Sequence, residues 1–367
     1  MELISLTGPD SHRLTMAPGV GSCSLGGGDA DLRVAPGDPI DWAVFDRFST
    51  PAGSPWPRWI SYQGDDTGWI GWSRHRPIEG FTWSPESAQA VDASRADIGR
   101  LGVRLGGEPV RLVLPPSLSV SVNGDLDLFT PVLAPGAECP SLGFGPSGKV
   151  CALPVMPALA GATSVSVSVQ PLRQTFDCAS LLQFPGLRSL QLSGGMTNLE
   201  ALTALPALDG LELRFVPAMT GLPSLAELPR LAYLIAWNVD DREGRRLRTE
   251  FRRDTREWRG YSSVSRLRSA AWFATEYRLP FAAWPAKSSR AAVRAFRAAE
   301  KAIGAATTEA AVEAAVRGFV AAINRLPGIE TTEREDAGDA VALLTESTPP
   351  GDLRKAAEGW FDAARDF

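Results

Sequence analysis

The chain has 367 residues, with 37 Lys and Arg against 42 Asp and Glu, 44% hydrophobic residues and 22% charged. That apolar content excludes an intrinsically disordered chain, and a net charge of −5 argues against a general nucleic-acid binder. No run approaches the ~18 consecutive apolar residues of a membrane-spanning helix.

The opening stretch, MELISLTGPDSHRLTM, has no basic head followed by an apolar core, so no secretory signal is expected. Four cysteines, Cys23, Cys139, Cys151 and Cys178, stand far apart without a CxxC pair. In a chain of this length they predict buried thiols in a reducing compartment, hence a cytoplasmic protein. Residues 1–50 are rich in Gly, Pro and Asp, with short alternating runs at 22–25 and 31–34 and a helical turn or two over 40–48.

Six tryptophans follow one another closely: Trp42, Trp56, Trp59, Trp69, Trp72 and Trp83. The β-prone runs 59–62 and 69–72 flank a polar, Gly-containing segment and predict a hairpin. The rings serve either as an N-terminal cap or as a stacking platform for a sugar or nucleobase.

From residue 81 a repeat is legible. Strand cores are predicted at 81–83, 102–105, 119–122, 142–144, 165–167, 190–192, 211–213 and 234–236, spaced 17 to 25 residues apart. Leucines recur every third residue from Leu199 to Leu211 and again from Leu222 to Leu234, and the first run closes with a two-residue step to Leu213. Two-residue steps suit a strand, whose side chains alternate between faces. Three-residue steps suit the tight turns that return the chain to the next strand. One such unit cannot bury its apolar face alone, so the units must stack.

The rungs Leu187-Leu190-Leu192, Leu208-Leu211-Leu213 and Leu231-Leu234-Ala236 resemble a leucine-rich repeat, clearly over 181–239 and in degenerate form back to about residue 100. The expected Asn of the repeat turn is not evident after these strands; Gly194-Gly195 stands at its place after the first of them.

Residues 240–259 then hold eight arginines and six acidic residues, which predicts a solvent-exposed helix with paired surface charges. Helices are expected over 263–278, 287–305 and 307–326, after Thr332 with a Thr332-x-x-Glu335 capping box, and from Asp352 to the end. Thr348-Pro349-Pro350-Gly351 separates the last two. The predicted fold is thus an α/β-type solenoid: a Trp-rich, irregular N-terminal cap (1–80), repeat rungs (81–239) and an α-helical domain (240–367).

Chemistry-bearing motifs are few. His12 and His75 lie away from any ligand-spaced partner, and no GxxxxGK[ST], GxSxG, HExxH or strand–GxGxxG–helix occurs. No catalytic residue, cofactor or metal site is therefore assigned. The acid-rich turn with Glu330, Glu333, Glu335 and Asp336 admits two readings, a helix start stabilised by its dipole or a small-ligand or metal-dependent site.

The chain resembles bacterial leucine-rich repeat proteins of actinobacterial type that end in a helical module. The stretches Trp258-Arg-Gly-Tyr261, Leu279-Pro-Phe281 with Trp284-Pro285, and Ile329-Glu-Thr-Thr-Glu-Arg-Glu335 look like that module. The resemblance implies binding of another macromolecule, usually a protein, with no activity attached, and it places the residues flanking each inward leucine on the binding face. Early rungs offer Ser and Gly there. Later rungs offer Gln191, Glu212, Arg214, Tyr233, Ile235 and Trp237, the polar and aromatic types enriched at binding hot spots. These six are the candidate partner-binding residues; Tyr233, Ile235 and Trp237 serve equally to dock the helical domain. The expected function is a non-enzymatic protein-binding scaffold that neutralises or regulates one partner, as an immunity protein does, without nucleic-acid or membrane binding. The alternatives are an enzyme using the acidic residues of the helices and a carbohydrate-binding tryptophan cluster.

Overall fold

The computed structural model describes residues 2–16, 20–148, 150–346 and 353–366. The chain divides into two compact units, 1–269 and 270–367.

The first unit is built on an open, twelve-stranded parallel sheet, and with the C-terminal helices it gives an α/β arrangement. From Ser22–Gly26 onward, each later strand of this sheet lies beside the one before it in the chain, through Trp59–Gln63, Ile78–Ser84, Ile98–Arg104, Ser119–Gly124 and Ser141–Pro146. The order continues through Ser164–Ser168, Ser189–Ser193, Gly210–Arg214, Tyr233–Trp237 and Ser263–Ser265. Only the short Leu32–Arg33 strand departs from it, lying outside Ser22–Gly26. All eight strand cores predicted from the repeat lie on these strands, apart from Leu105, which stands just past its strand.

Alternation explains the strands. In Ser189–Ser193 the residues Leu190 and Leu192 are buried while Ser189 and Gln191 are exposed, and Leu211 and Leu213 repeat this in the next strand. Parallel register stacks Leu190 on Leu211 and Leu211 on Leu234, so one apolar column runs beneath the sheet. Each fully buried leucine contributes about 1.5–3 kcal/mol relative to exposure.

The returns explain the three-residue spacing. Leu199–Ala204 is a 3₁₀ helix. Three residues per turn put Leu199, Leu202 and Leu205 on one side, and all three are buried. Asp177 caps the 3₁₀ helix Cys178–Gln183 through Ala179 N–H, and Ser224 with Glu227 closes a capping box on Leu225–Glu227. Other returns carry strands of two small parallel sheets, one of Gln89–Asp92, Val110–Val113 and Phe129–Val132, the other of Val150–Cys151, Thr175–Asp177 and Gly195–Thr197.

Three expectations are corrected. The run 59–72 is no hairpin. Trp59–Gln63 pairs in parallel with strands on both sides, and 69–72 falls in the short helix Trp69–Ser73, whose i, i+3 spacing turns Trp69 and Trp72 into the core. Residues 263–278 are not one helix. Ser263–Ser265 adds a strand to the open edge of Tyr233–Trp237, satisfying backbone groups a helix would have left unpaired, and a helix forms only over Ala270–Thr275. The charged run forms the helix Asp241–Arg253 with its charges paired as expected, Arg246 with Glu243 and Glu250 at 2.8 and 2.7 Å, but one side is not solvent-exposed, since Leu247 is buried and Arg246 donates to Leu222 O at 2.8 Å. It packs with the sheet unit, whereas the charge pattern had placed the change of character at residue 240.

Five of the six clustered tryptophans lie in the core of the sheet unit. Trp42, Trp56, Trp69, Trp72 and Trp83 are buried, and Trp59 is 42% exposed. Trp42 stacks on Trp72 and Trp69 on Phe81, at 5.7 and 4.7 Å between centroids. Cys23, Cys151 and Cys178 are buried free thiols and Cys139 is half-buried, and burial pushes Cys23 and Cys178 up to about 12.

The second unit contains Ala286–Gly304, Glu309–Ile323, Thr331–Thr345 and Arg354–Ala364 around Phe281, Trp284, Phe296 and Phe319. Thr308 caps Glu309–Ile323 by accepting from Ala311 N–H. The predicted capping box sits two residues earlier than expected, on Glu330 and Glu333. The break expected over 348–351 and the start of the last helix at 352 lie outside the described residues. No helix among the described residues is long and apolar enough to cross a membrane.

Candidate functional site: the polar face of the sheet

The face opposite the leucine column carries lanes of alternating residues, among them Ser168, Ser193, Arg214 and Trp237. One lane joins Ser119, Ser141, Ser164, Ser189, Gly210 and Tyr233; another joins Gly102, Ser121, Gly143, Ser166, Gln191, Glu212 and Ile235. Side chains this small leave a shallow trough of about 270 Å³ over the middle strands, ending against Gln191 and Glu212. A β-carbon on Gly143 would stand 3.1 Å from Ser121 Cβ, so the floor is already closely packed.

All six predicted partner-binding residues lie on this one face at its C-terminal end. Gln191, Glu212 and Ile235 are consecutive in register, and Arg214 pairs with Trp237. Gln191 is exposed, while Glu212, Arg214, Tyr233, Ile235 and Trp237 are half-buried. Glu212 is the hub, with Oε2 accepting from Arg214 Nε at 3.0 Å and Oε1 from the Tyr233 hydroxyl at 3.2 Å. Burial, reinforced by the Glu212 carboxylate, holds the Tyr233 phenol above its ordinary value. Trp237 meets Phe215 edge to face at 4.9 Å. The patch is thus pre-ordered, with its one acid and one base already joined, and it offers aromatic area and hydrogen-bonding groups rather than net charge.

Beside the patch, at the N-terminal ends of the strands, stand residues the sequence reading did not single out. Asp209 receives Arg188 at 3.0 Å and Arg259 at 2.8 Å. The available signal was positional, because Arg188 and Asp209 each directly precede a strand. Arg256 was also missed. It donates to Leu225 O, Leu228 O and Leu231 O at 2.8–2.9 Å and is held by Asp254. Its own sequence neighbourhood does not distinguish it from the seven other arginines of the charged run.

Three of the four acidic candidates have structural partners. Glu330 and Glu333 cap the helix Thr331–Thr345, and Asp336 accepts from Trp284 Nε1 at 2.8 Å. Among the described residues no group of three or more His, Cys, Asp or Glu is placed to hold a metal ion. A wider cavity of about 830 Å³ lies between Met16, Val20, Pro51, Trp56 and Trp59. Arg58, its charged wall residue, is held bidentately by Glu79 at 2.7 Å. Compared with family models, with curated proteins and with solved structures, this chain finds no match.

Proposed function

We propose that this chain is a non-enzymatic, cytoplasmic protein-binding scaffold of leucine-rich-repeat type, whose sheet face engages one partner protein in order to neutralise or regulate it. The observation that carries this reading is the gathering of Gln191, Glu212, Arg214, Tyr233, Ile235 and Trp237 into one patch of a rigid sheet. Such a patch loses little conformational entropy on binding, and its aromatic and Arg content is that of hot spots. The solenoid reading is supported by strands that advance in chain order and by 3₁₀ returns packed through leucines. It is supported too by the left-handed residues Gly194, Phe215 and Asn238, each directly after a strand. The returns of a leucine-rich repeat turn just after its strands.

The test is an affinity pull-down of the tagged full-length protein from lysate of the organism that makes it, run beside the Glu212→Ala/Arg214→Ala/Tyr233→Ala variant. A stoichiometric protein partner lost by at least about tenfold in a variant that still melts cooperatively is the expected result. Equal recovery by the folded variant would remove this face from the function.

A further inference from the structure

Tyr261 is 81% exposed, although the backbone that carries it is tied down on both sides. Arg259 N–H donates to Ala232 O at 2.6 Å, Ser262 Oγ donates to Arg259 O at 2.9 Å, and Leu234 N–H donates to Ser262 Oγ at 3.2 Å. Gly260, at φ +55°, lies on the Tyr233 ring, since a β-carbon there would be 3.7 Å from Tyr233 Cε2. The sheet patch therefore continues through Tyr233 and Gly260 to an aromatic side chain presented to solvent on ordered backbone. Such a side chain has few rotamers to lose on contact.

The charge beside it is unbalanced. One carboxylate, Asp209, serves two guanidinium groups, so the Arg188–Asp209–Arg259 cluster carries one excess positive charge. Arg188 and Arg259 are 64% and 57% exposed while Asp209 is 21% exposed, which turns the positive edges outward. Among the described residues neither guanidinium has a hydrogen-bond partner on Nη1. Exposed Arg230 and Glu257, each two residues ahead of the Ala232–Arg259 backbone contact, offset each other.

We infer that the partner contact extends off the strands onto this rim, where Arg188 and Arg259 take a carboxylate of an acidic protein segment and Tyr261 packs against the segment's neighbouring side chain. A planar guanidinium edge matches a carboxylate in a two-bond fork, which makes an acidic protein segment the complementary surface. The inference rests on the protein-binding reading of the sheet face.

The experiment selects phage-displayed random peptides on immobilised full-length protein and measures the affinity of the selected peptides for folded variants. Selected peptides rich in Asp and Glu that bind the Arg188→Gln/Tyr261→Ala variant at least about tenfold more weakly are the expected result. Both substitutions are at exposed positions and leave the Arg259–Asp209 pair in place, so an unchanged melting temperature is expected. Selection without acidic enrichment, or peptides indifferent to the rim variant, would overturn the inference. Peptides lost with Glu212→Ala/Tyr233→Ala but kept by the rim variant would overturn the rim and leave the face reading standing. The converse would support the rim and remove the face. Tighter rim-dependent binding of a labelled single-stranded oligonucleotide than of any acidic peptide would overturn the choice of a protein partner.

Discussion

Arg256 and Asp254 are joined at 2.8 Å, and the same guanidinium reaches the carbonyl oxygens of Leu225, Leu228 and Leu231 on the last leucine-bearing return. The pair closes the end of the leucine column. Its donors meet three carbonyls of that segment, and the guanidinium packs over Trp258 at 5.1 Å.

Replacing that arginine therefore removes its bonds to three carbonyls and its ion pair with Asp254, which keeps only the backbone N–H of residue 256. Arg256→Ala is expected to lower unfolding stability by about 3 kcal/mol in urea titration. Arg256→Lys should recover less than half of the loss, because an ammonium cannot reach three carbonyls and a carboxylate with the geometry of a fork.

Acid should weaken the sheet unit through the same kind of contact. Hydrogen bonding to Arg256 holds the Asp254 carboxyl below its ordinary value. Burial alone would raise Asp209, but hydrogen bonds from Arg188 and Arg259 outweigh it and hold that carboxyl low as well. Because both folded values lie below the unfolded one, their stabilisation is fully present above about pH 4 and is lost as pH falls through the folded values. Urea midpoints measured downward from neutral pH should drop below about pH 4, and Asp209→Asn should flatten part of that drop.

Asp336 should respond in the opposite sense. Burial, helped by Asp339, Glu333 and Glu335, raises its carboxyl against the opposing Trp284 hydrogen bond. A raised carboxyl costs stability at neutral pH, and the cost disappears as pH falls below the folded value. Asp336→Asn keeps an acceptor for Trp284 Nε1 and should raise the melting temperature of the helical unit at pH 7. The gain stays below about 0.5 kcal/mol because the group is partly solvated, and it should vanish in acid, as followed by calorimetry.

A turn glycine offers a backbone test. Gly194 has φ +104°, and a β-carbon there would come 1.9 Å from Val169 O. Gly194→Ala is expected to cost about 3 kcal/mol or more in chemical denaturation, as strained backbone and overlap combine. Gly27→Ala, with nothing within 4 Å of the added carbon, should stay within about 0.5 kcal/mol of wild type.

What the sequence by itself determined was periodic. Leucines two apart specified strands, leucines three apart specified tight turns between them, and the 17- to 25-residue repeat specified their order, because each signal comes from local backbone geometry. The alternation also sets Gln191, Glu212, Arg214, Tyr233, Ile235 and Trp237 on the side of their strands away from the buried leucines. Only the tertiary structure decided which polar groups meet across rungs. The Arg188–Asp209–Arg259 cluster joins residues up to 71 positions apart in the chain, with the whole strand Tyr233–Trp237 between Asp209 and Arg259, and Arg256 finds its carbonyls 25 to 31 residues away. Tertiary pairing also overrode local preference twice. Residues 263–265 became a strand because an open sheet edge offered hydrogen bonds, and 69–73 became a helix because two tryptophans three residues apart had to face one core. Local spacing sets which face a side chain takes, and only packing between distant segments sets which side chain it finds there.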